Sequence, residues 1–329
     1  MSNTATVLAF DFGASSGRAI RAVYDGQNLT YEEIHRFENV PIEKDGHLCW
    51  DVETLLKEIH TAIQKAGTFD SLGFDTWGVD FGLLDTDGHL LANPVHYRDV
   101  RTNGKLEQAA ARMPAEELYA HTGNQIMAIN TLFQLLALRE QDPELLQKAE
   151  QILFMPDLFA ALLGAEPVCE RSIASTSQML DPRTGQWSRE VLAAYGLNAN
   201  RFAPLVASGT VTGTLANGAK IIAVAGHDTQ CASAAMPCAE EDAEHTAFLS
   251  CGTWSLLGTE LDAPILTADS CQSGLSNELG ANGKINYLKN IIGLWLIQES
   301  RREYKRRGQA YSFAELEQQA LAAKEIIQI

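Results

Sequence analysis

The most restrictive feature of this chain is a unit that occurs twice: a strand-like run, a turn of glycine and hydroxyl residues, then a second strand-like run. In the first copy, the apolar residues 7–10 lead into Asp11-Phe12-Gly13-Ala14-Ser15-Ser16-Gly17-Arg18, which reads as a buried strand entering a tight turn. Residues 18–24 return as a strand, Asp25-Gly26 signals a hairpin turn, and residues 31–37 read as a third strand. In the second copy, residues 246–250 and 255–259 flank Cys251-Gly252-Thr253-Trp254, echoing the first as an internal repeat.

Between the copies, strand and helix patterns alternate. Val52, Leu55, Leu56, Ile59, Ala62 and Ile63 fall at helical spacing behind Asp51, a candidate N-cap. Residues 71–76 read as a strand, and 81–84 with the turn Asp85-Thr86-Asp87-Gly88 read as a hairpin. Residues 105–163 are mostly helical in pattern, broken at Gly123, Pro143 and Pro156, and Asp181-Pro182-Arg183-Thr184-Gly185 is a turn. Residues 221–225 read as a buried strand that runs into Gly226-His227-Asp228-Thr229 and an Ala-rich helix. Residues 237–244 are acidic without apolar periodicity, and the domain boundary is placed there, giving domains 1–238 and 245–329. Residues 313–323 are helical in pattern, and 325–329 look like the start of a strand. The whole reads as an α/β chain.

A length of 329 residues suits two domains. No apolar run approaches the roughly 20 residues that span a bilayer, and residues 1–6 have neither the basic region nor the apolar core of a secretory signal. The six cysteines, Cys49, Cys169, Cys231, Cys238, Cys251 and Cys271, include no Cys-x-x-Cys pair, so neither a zinc site nor a dithiol motif is expected. Reduced, mostly buried thiols in a cytoplasmic protein are. A net charge of −17 argues against nucleic acid or an anionic membrane as partner.

Five segments could carry chemistry. In the first turn, small residues allow a phosphate to approach the backbone, Ser15, Ser16 and Arg18 add donors, and Asp11 could hold magnesium. The same stretch fits Gly-x-Ser-x-Gly with Ser15 as a hydrolase nucleophile, but that motif needs a strand-to-helix elbow. In Asp75-Thr76-Trp77-Gly78-Val79-Asp80-Phe81, Trp77 could stack on a sugar or be a core tryptophan, and Gly78 would admit a ligand to the backbone. In His227-Asp228-Thr229, Asp228 could take a proton from a substrate hydroxyl or cap the helix. The turn at Gly252-Thr253 is a second candidate phosphate loop. Asn290, placed just before a helical run, could reach a ligand from the helix start or simply cap the helix, with Gln298 two turns on. Neither a P-loop nor a Gly-x-Gly-x-x-Gly fingerprint occurs.

Together, GASSGR, DTWGVDF, HDT, GTWSLLG and LKNIIGLW, with EIHRF at 33–37 and YRDVRTNG at 97–104, resemble the FGGY carbohydrate kinases of the actin-like ATPase superfamily, in the form of their rhamnulokinase branch. The resemblance runs along almost the whole chain. It implies two actin-like (ribonuclease H-like) domains, with ATP and sugar between them. It further implies that Ala14, Ser15, Ser16, Gly17 and Arg18 contact ATP phosphates, with Thr253 and Gln298 also on the nucleotide. Gly78, His227, Asp228, Thr229 and Asn290 would line the sugar site, Asp228 being the general base. Magnesium would sit near Asp11. The implied reaction transfers the ATP γ-phosphoryl group to O1 of L-rhamnulose. Alternatives are another deoxy-ketose such as L-fuculose, or a sugar-binding remnant without catalysis. The branch is longer than this chain, so the second domain is expected to be incomplete, its remainder absent or on another chain.

Overall fold

The computed structural model describes residues 4–239, 242 and 245–323. The expected strand at 325–329 lies outside them, as does part of the boundary segment 237–244.

Strands Ala5–Phe12 (β1), Ser16–Tyr24 (β2), Leu29–Glu38 (β3), Ser71–Thr76 (β4), Thr210–Thr214 (β5) and Lys220–Ala223 (β6) form one sheet in the order β5-β6-β4-β1-β2-β3. The first three make an antiparallel meander, and β4 joins β1 in parallel. A parallel neighbour requires a crossover, supplied here by the helix Val52–Ala66 (α1). Asp51 caps it, its Oδ1 accepting from Thr54 N at 3.2 Å. The helix buries Val52, Leu55, Ile59, Ala62 and Ala66, each larger side chain contributing about 1.5–3 kcal/mol.

Helix Met155–Leu162 (α2) packs against β4 and β6. Phe159 of α2 lies edge-on to Phe12 at 5.1 Å, and Phe10 stacks on Phe74 at 4.8 Å. These rings hold the ends of β1 and β4 in fixed register. Because side chains alternate along a strand, Asp11 lies on the opposite face from Phe10 and Phe12, directly beside Asp75 of β4.

Within the span expected to be mostly helical, residues Gln151–Phe154 are a strand paired with Phe81–Leu84. A four-residue apolar run fits either state, and here tertiary pairing decides. The Ala-rich helix is short, Asp228–Ala234 (α3).

The second sheet contains Phe248–Cys251 (β7), Trp254–Leu261 (β8), Leu275–Leu279 (β9) and Ile285–Ile292 (β10), all antiparallel, in the order β7-β8-β10-β9. Helices Trp295–Arg306 (α4) and Phe313–Ala322 (α5) follow. The expected mostly buried cysteines divide evenly: Cys49 and Cys169 are buried, Cys231 and Cys271 half-buried, Cys238 and Cys251 exposed, and all six are free thiols. Among the described residues, no helix is long and apolar enough to cross a membrane.

Candidate active site

Both glycine turns open onto one cavity of about 330 Å³. In the β1–β2 turn, Gly13 N donates to Ser16 O at 2.9 Å. Asn39 then ties the turn down, its Nδ2 donating to Gly13 O at 3.0 Å and its N to Ser15 O at 3.1 Å. In the β7–β8 turn, Gly252 N donates to Trp254 O at 2.9 Å, while Gly252 O and Thr253 O accept from Leu294 N at 2.9 Å and Trp295 N at 3.2 Å. In both turns the carbonyls are satisfied by protein donors. Ala14, Ser15, Ser16 and Thr253 line the cavity.

Arg18 and Asp11 are paired, Arg18 Nε donating to Asp11 Oδ2 at 2.7 Å. The residues after Ser15 continue as β2, so the strand-to-helix elbow a serine hydrolase needs is absent and that reading falls.

The opposite wall comes from the end of β4 and the loop before α3. Thr76 N donates to Gly226 O at 2.9 Å, which sets His227-Asp228-Thr229 beside Asp75. The loop rests on Glu170, whose Oε2 accepts from Gly226 N at 3.0 Å and Ser172 N at 2.9 Å. His227, not Asp228, is the N-cap of α3, and Asp228 is its first residue. Asp228 Oδ1 accepts from Thr229 N at 2.6 Å. Its side chain keeps 39% exposure, toward the cavity. Burial of the carboxylate among the surrounding protein atoms raises its pKa, while His227 and the Thr229 N–H oppose the rise and Asp11 adds to it.

Asp75 is pushed well above the carboxylate range by burial, then by Asp11 and Asp228. His227 is raised to about 9: burial would lower it, but the Glu278 carboxylate 2.9 Å from Nδ1 outweighs that, with Asp228 and Asp75 adding.

Gly78 and Val79 also line the cavity. Val79 has φ 68, strained for a β-branched residue. It is held there by Thr176 Oγ1, 3.0 Å from Val79 N, and by Thr131 Oγ1, which donates to Val79 O at 2.6 Å. Trp77 lines the cavity while packing into the core: it is 5% exposed, lies against Trp50 at 4.0 Å and donates from Nε1 to Asp80 Oδ2 at 3.0 Å. Asp80 also accepts from Trp50 Nε1, Tyr97 N and Gln134 Nε2, and burial raises it to about 6.

The second sheet supplies the third wall. One face carries Ser250, Leu256, Asn290, Ser276 and Glu278, all lining the cavity. Asn290 sits in β10, not at a helix start, and its Nδ2 donates to Gln125 Oε1 at 3.2 Å. Gln298, in α4, lines an adjoining cavity that shares Ala14, Ser15, Ser16 and Thr253, and its Nε2 lies 3.4 Å from Thr253 Oγ1. Gly17 lines neither cavity. A Cβ there would lie 2.2 Å from the Phe37 ring, so Gly17 permits β2 to pack under Phe37.

Two models of the FGGY family of carbohydrate kinases match the chain, the N-terminal domain over residues 6–234 and the C-terminal domain over 247–326. This chain belongs to the FGGY family of carbohydrate kinases. It is 41% identical over 307 residues to a rhamnulokinase of Bacteroides thetaiotaomicron, covering 89% of this chain and 63% of that one. It is 40% identical over 321 residues to a rhamnulokinase of Halalkalibacterium halodurans, covering 94% and 67%. The chain thus spans about two thirds of the length of these relatives. The fold is shared with a ligand-bound xylulose kinase of Lactobacillus acidophilus (TM-score 0.75, 16% identity, 90% of this chain and 62% of that one). A gluconate kinase of the same organism has TM-score 0.76 at 16% identity, covering 91% and 62%.

In this FGGY chain, Ala14, Ser15, Ser16, Arg18, Asp11, Gly78, His227, Asp228, Thr229, Thr253 and Asn290 meet around one cavity. Sequence reasoning missed Asn124, Gln125, Ser276 and Glu278 there. Asn124 is 3% exposed and its Oδ1 has no partner. Nothing local marks these four, although Glu278, a charge between strand-like neighbours in Ser276-Asn277-Glu278-Leu279, was the detectable one.

Proposed function

We propose that this chain carries the phosphoryl-transfer site of a rhamnulokinase-type sugar kinase, moving the ATP γ-phosphoryl group to O1 of L-rhamnulose. The observation that carries this reading is Asp228, a carboxylate of raised pKa facing a cavity onto which two glycine turns open from opposite lobes. The identity to rhamnulokinases supports the choice of sugar.

An alcohol is a poor nucleophile, so Asp228 orients the ketose hydroxyl and accepts its proton as the bond to phosphorus forms. A raised pKa suits this, because a base is most effective when its pKa lies near the working pH. Thr229 N and Oγ1 fix the Oδ1 of Asp228, leaving the carboxylate little freedom to rotate. Gly78, His227, Thr229 and Asn290 hold the sugar. Ala14, Ser15, Ser16 and Thr253 hold phosphate oxygens from two sides, and Arg18 adds positive charge where negative charge builds up. Gln298 lies on the nucleotide side.

Asp11 lines the cavity between the glycine turns and offers carboxylate oxygens, the donor type magnesium takes. Among the described residues, the group of acidic and histidine ligand atoms within 4.8 Å of one another is the surface turn Asp85, Asp87 and His89. Magnesium characteristically binds through one or two carboxylates plus phosphates and waters, so Asp11 is the residue to hold it. The ion would neutralise phosphate charge.

The test is sugar-dependent ADP formation by this chain with ATP and magnesium, in parallel on L-rhamnulose, L-fuculose and no sugar. The reading expects the highest kcat/KM on L-rhamnulose. A preference for L-fuculose refutes the substrate assignment. Ketose binding by a folded, monodisperse sample without ADP would make the chain a sugar-binding form of the fold.

A further inference from the structure

We infer that Glu278, from the second lobe, is a positioning residue for Asp228: it grips His227 by Nδ1 so that Nε2 is held against the Asp228 carboxylate. This rests on Asp228 being the base, as proposed above.

Two buried groups lead to the partly exposed Asp228. Glu278 is 4% exposed, and its Oε2 is 2.9 Å from His227 Nδ1. His227 is 8% exposed, and its Nε2 is 3.5 Å from Asp228 Oδ1. With Nδ1–H directed at Glu278, a ring flip would break the 2.9 Å contact and leave the buried carboxylate with Gln230 alone. The contact thus fixes the ring with Nε2 turned toward Asp228. The same Oε2 accepts from Gln230 Nε2 at 2.8 Å, so Glu278 binds α3 at its N-cap and again three residues later.

The strand that carries Glu278 is itself fastened to the first lobe. Ser276 Oγ accepts from Gln125 N at 2.8 Å, Asn277 N donates to Gly123 O at 2.8 Å, and Leu279 N donates to Ser175 Oγ at 3.0 Å. β9 thus lines the cavity through Ser276 and Glu278 while Ser276 and the backbone N–H groups of Asn277 and Leu279 bond the first lobe. Docking this strand does two things together: it closes the cavity wall and it orients the base. A protonated His227 beside Asp228 would keep that carboxylate ionised until the ketose hydroxyl gives up its proton, then favour the proton's later release.

The titratable groups facing His227 are Glu278 from β9, Asp228 on its own helix and Asp75 from β4, with Glu170 beneath the loop on Gly226 N. Glu278, with Asp228 and Asp75, holds the imidazole charged up to about pH 9 against the opposing effect of burial.

The test is nitrogen-15 NMR of histidine-labelled full chain across pH 5 to 10, with His227→Gln used to assign the signal. The inference expects both His227 nitrogens to stay protonated well above the ordinary imidazole pKa of about 6.5, and Glu278→Gln to lower the midpoint by at least about one unit. A wild-type midpoint at or below about 6.5 overturns it, a result that needs no variant to fold. So does an unchanged midpoint in Glu278→Gln. Kinetics give a separate reading: kcat should fall about tenfold or more, as expected for a misplaced base, and by a larger factor than ketose KM changes. Equal loss in Glu278→Gln and Glu278→Asp, with His227 unmoved, would mean a purely structural strut. A wild-type chain that forms no ADP would count against the proposed reaction, while the nitrogen titration would still decide the Glu278 contact.

Discussion

The two glycine turns are built alike and supported differently. The first lies on a six-stranded sheet with Phe10, Phe12, Leu72 and Phe74 buried beneath it, and its carbonyls are tied by one residue, Asn39. The second lies on a four-stranded sheet whose buried cluster is Phe248, Leu256 and Leu288, and its carbonyls are tied by the first N–H groups of α4. Its cavity face is formed, but the other face leaves Leu249 56%, Leu257 47% and Ile291 41% exposed. The turn geometry is local and survives on a thin support. Stability is not local, and the second lobe has much less of it. Among the described residues of that lobe, β9, the strand fastened to the first lobe, is buried at four of its five positions.

Hydrogen exchange should sharpen the contrast most. Amides of β1 and β4 are expected to exchange at least about 10²-fold more slowly than those of β7 and β8, as cores open less often than thin edges. Equal protection would break the comparison. Next, Phe10→Ala should cost about 3–5 kcal/mol, read by urea unfolding, whereas Leu257→Ala on the open face should stay within about 0.5 kcal/mol. A large loss from Leu257→Ala would mean that this face is covered.

The turns themselves can be compared through their glycines. A Cβ on Gly293 would lie 2.7 Å from Gly252 O and 2.8 Å from Ser255 N, both backbone, whereas one on Gly17 meets a side-chain ring. Gly293→Ala should therefore weaken ATP binding more than Gly17→Ala, by about 1–3 kcal/mol of overpacking strain, measured by calorimetry.

A further expected effect is in pH. His227 has a folded pKa raised to about 9 from 6.5. Its contribution to stability is complete below pH 6.5 and is lost as the pH climbs toward 9. The thermal midpoint should decline across that window, and the decline should flatten in Glu278→Gln.

Much of this was legible in the sequence because it is written in consecutive residues. The strand–turn–strand units, the capped helix after Asp51 and the strand end that presents His227-Asp228-Thr229 are short-range patterns. The misses required long-range information. Residues 151–154 form a strand only because they pair with 81–84. Asn290 was placed at a helix start because the apolar run around it continues into α4, and the pairing of β10 with β8 overrides that. The contacts of Trp77 with Trp50 and Asp80 join it to residues 27 and 3 positions away, and the pairing with Trp50 is written in no local pattern. Glu278 lies 51 positions from His227, and no local pattern announces that they meet.

The most direct test of the central claim is ketose-dependent ADP release by wild-type chain and Asp228→Asn, side by side with L-rhamnulose binding by calorimetry. If Asp228 is the base, Asp228→Asn binds the ketose nearly as wild type does and turns over about 10²-fold more slowly or worse. Wild-type turnover that is unchanged in Asp228→Asn would contradict it.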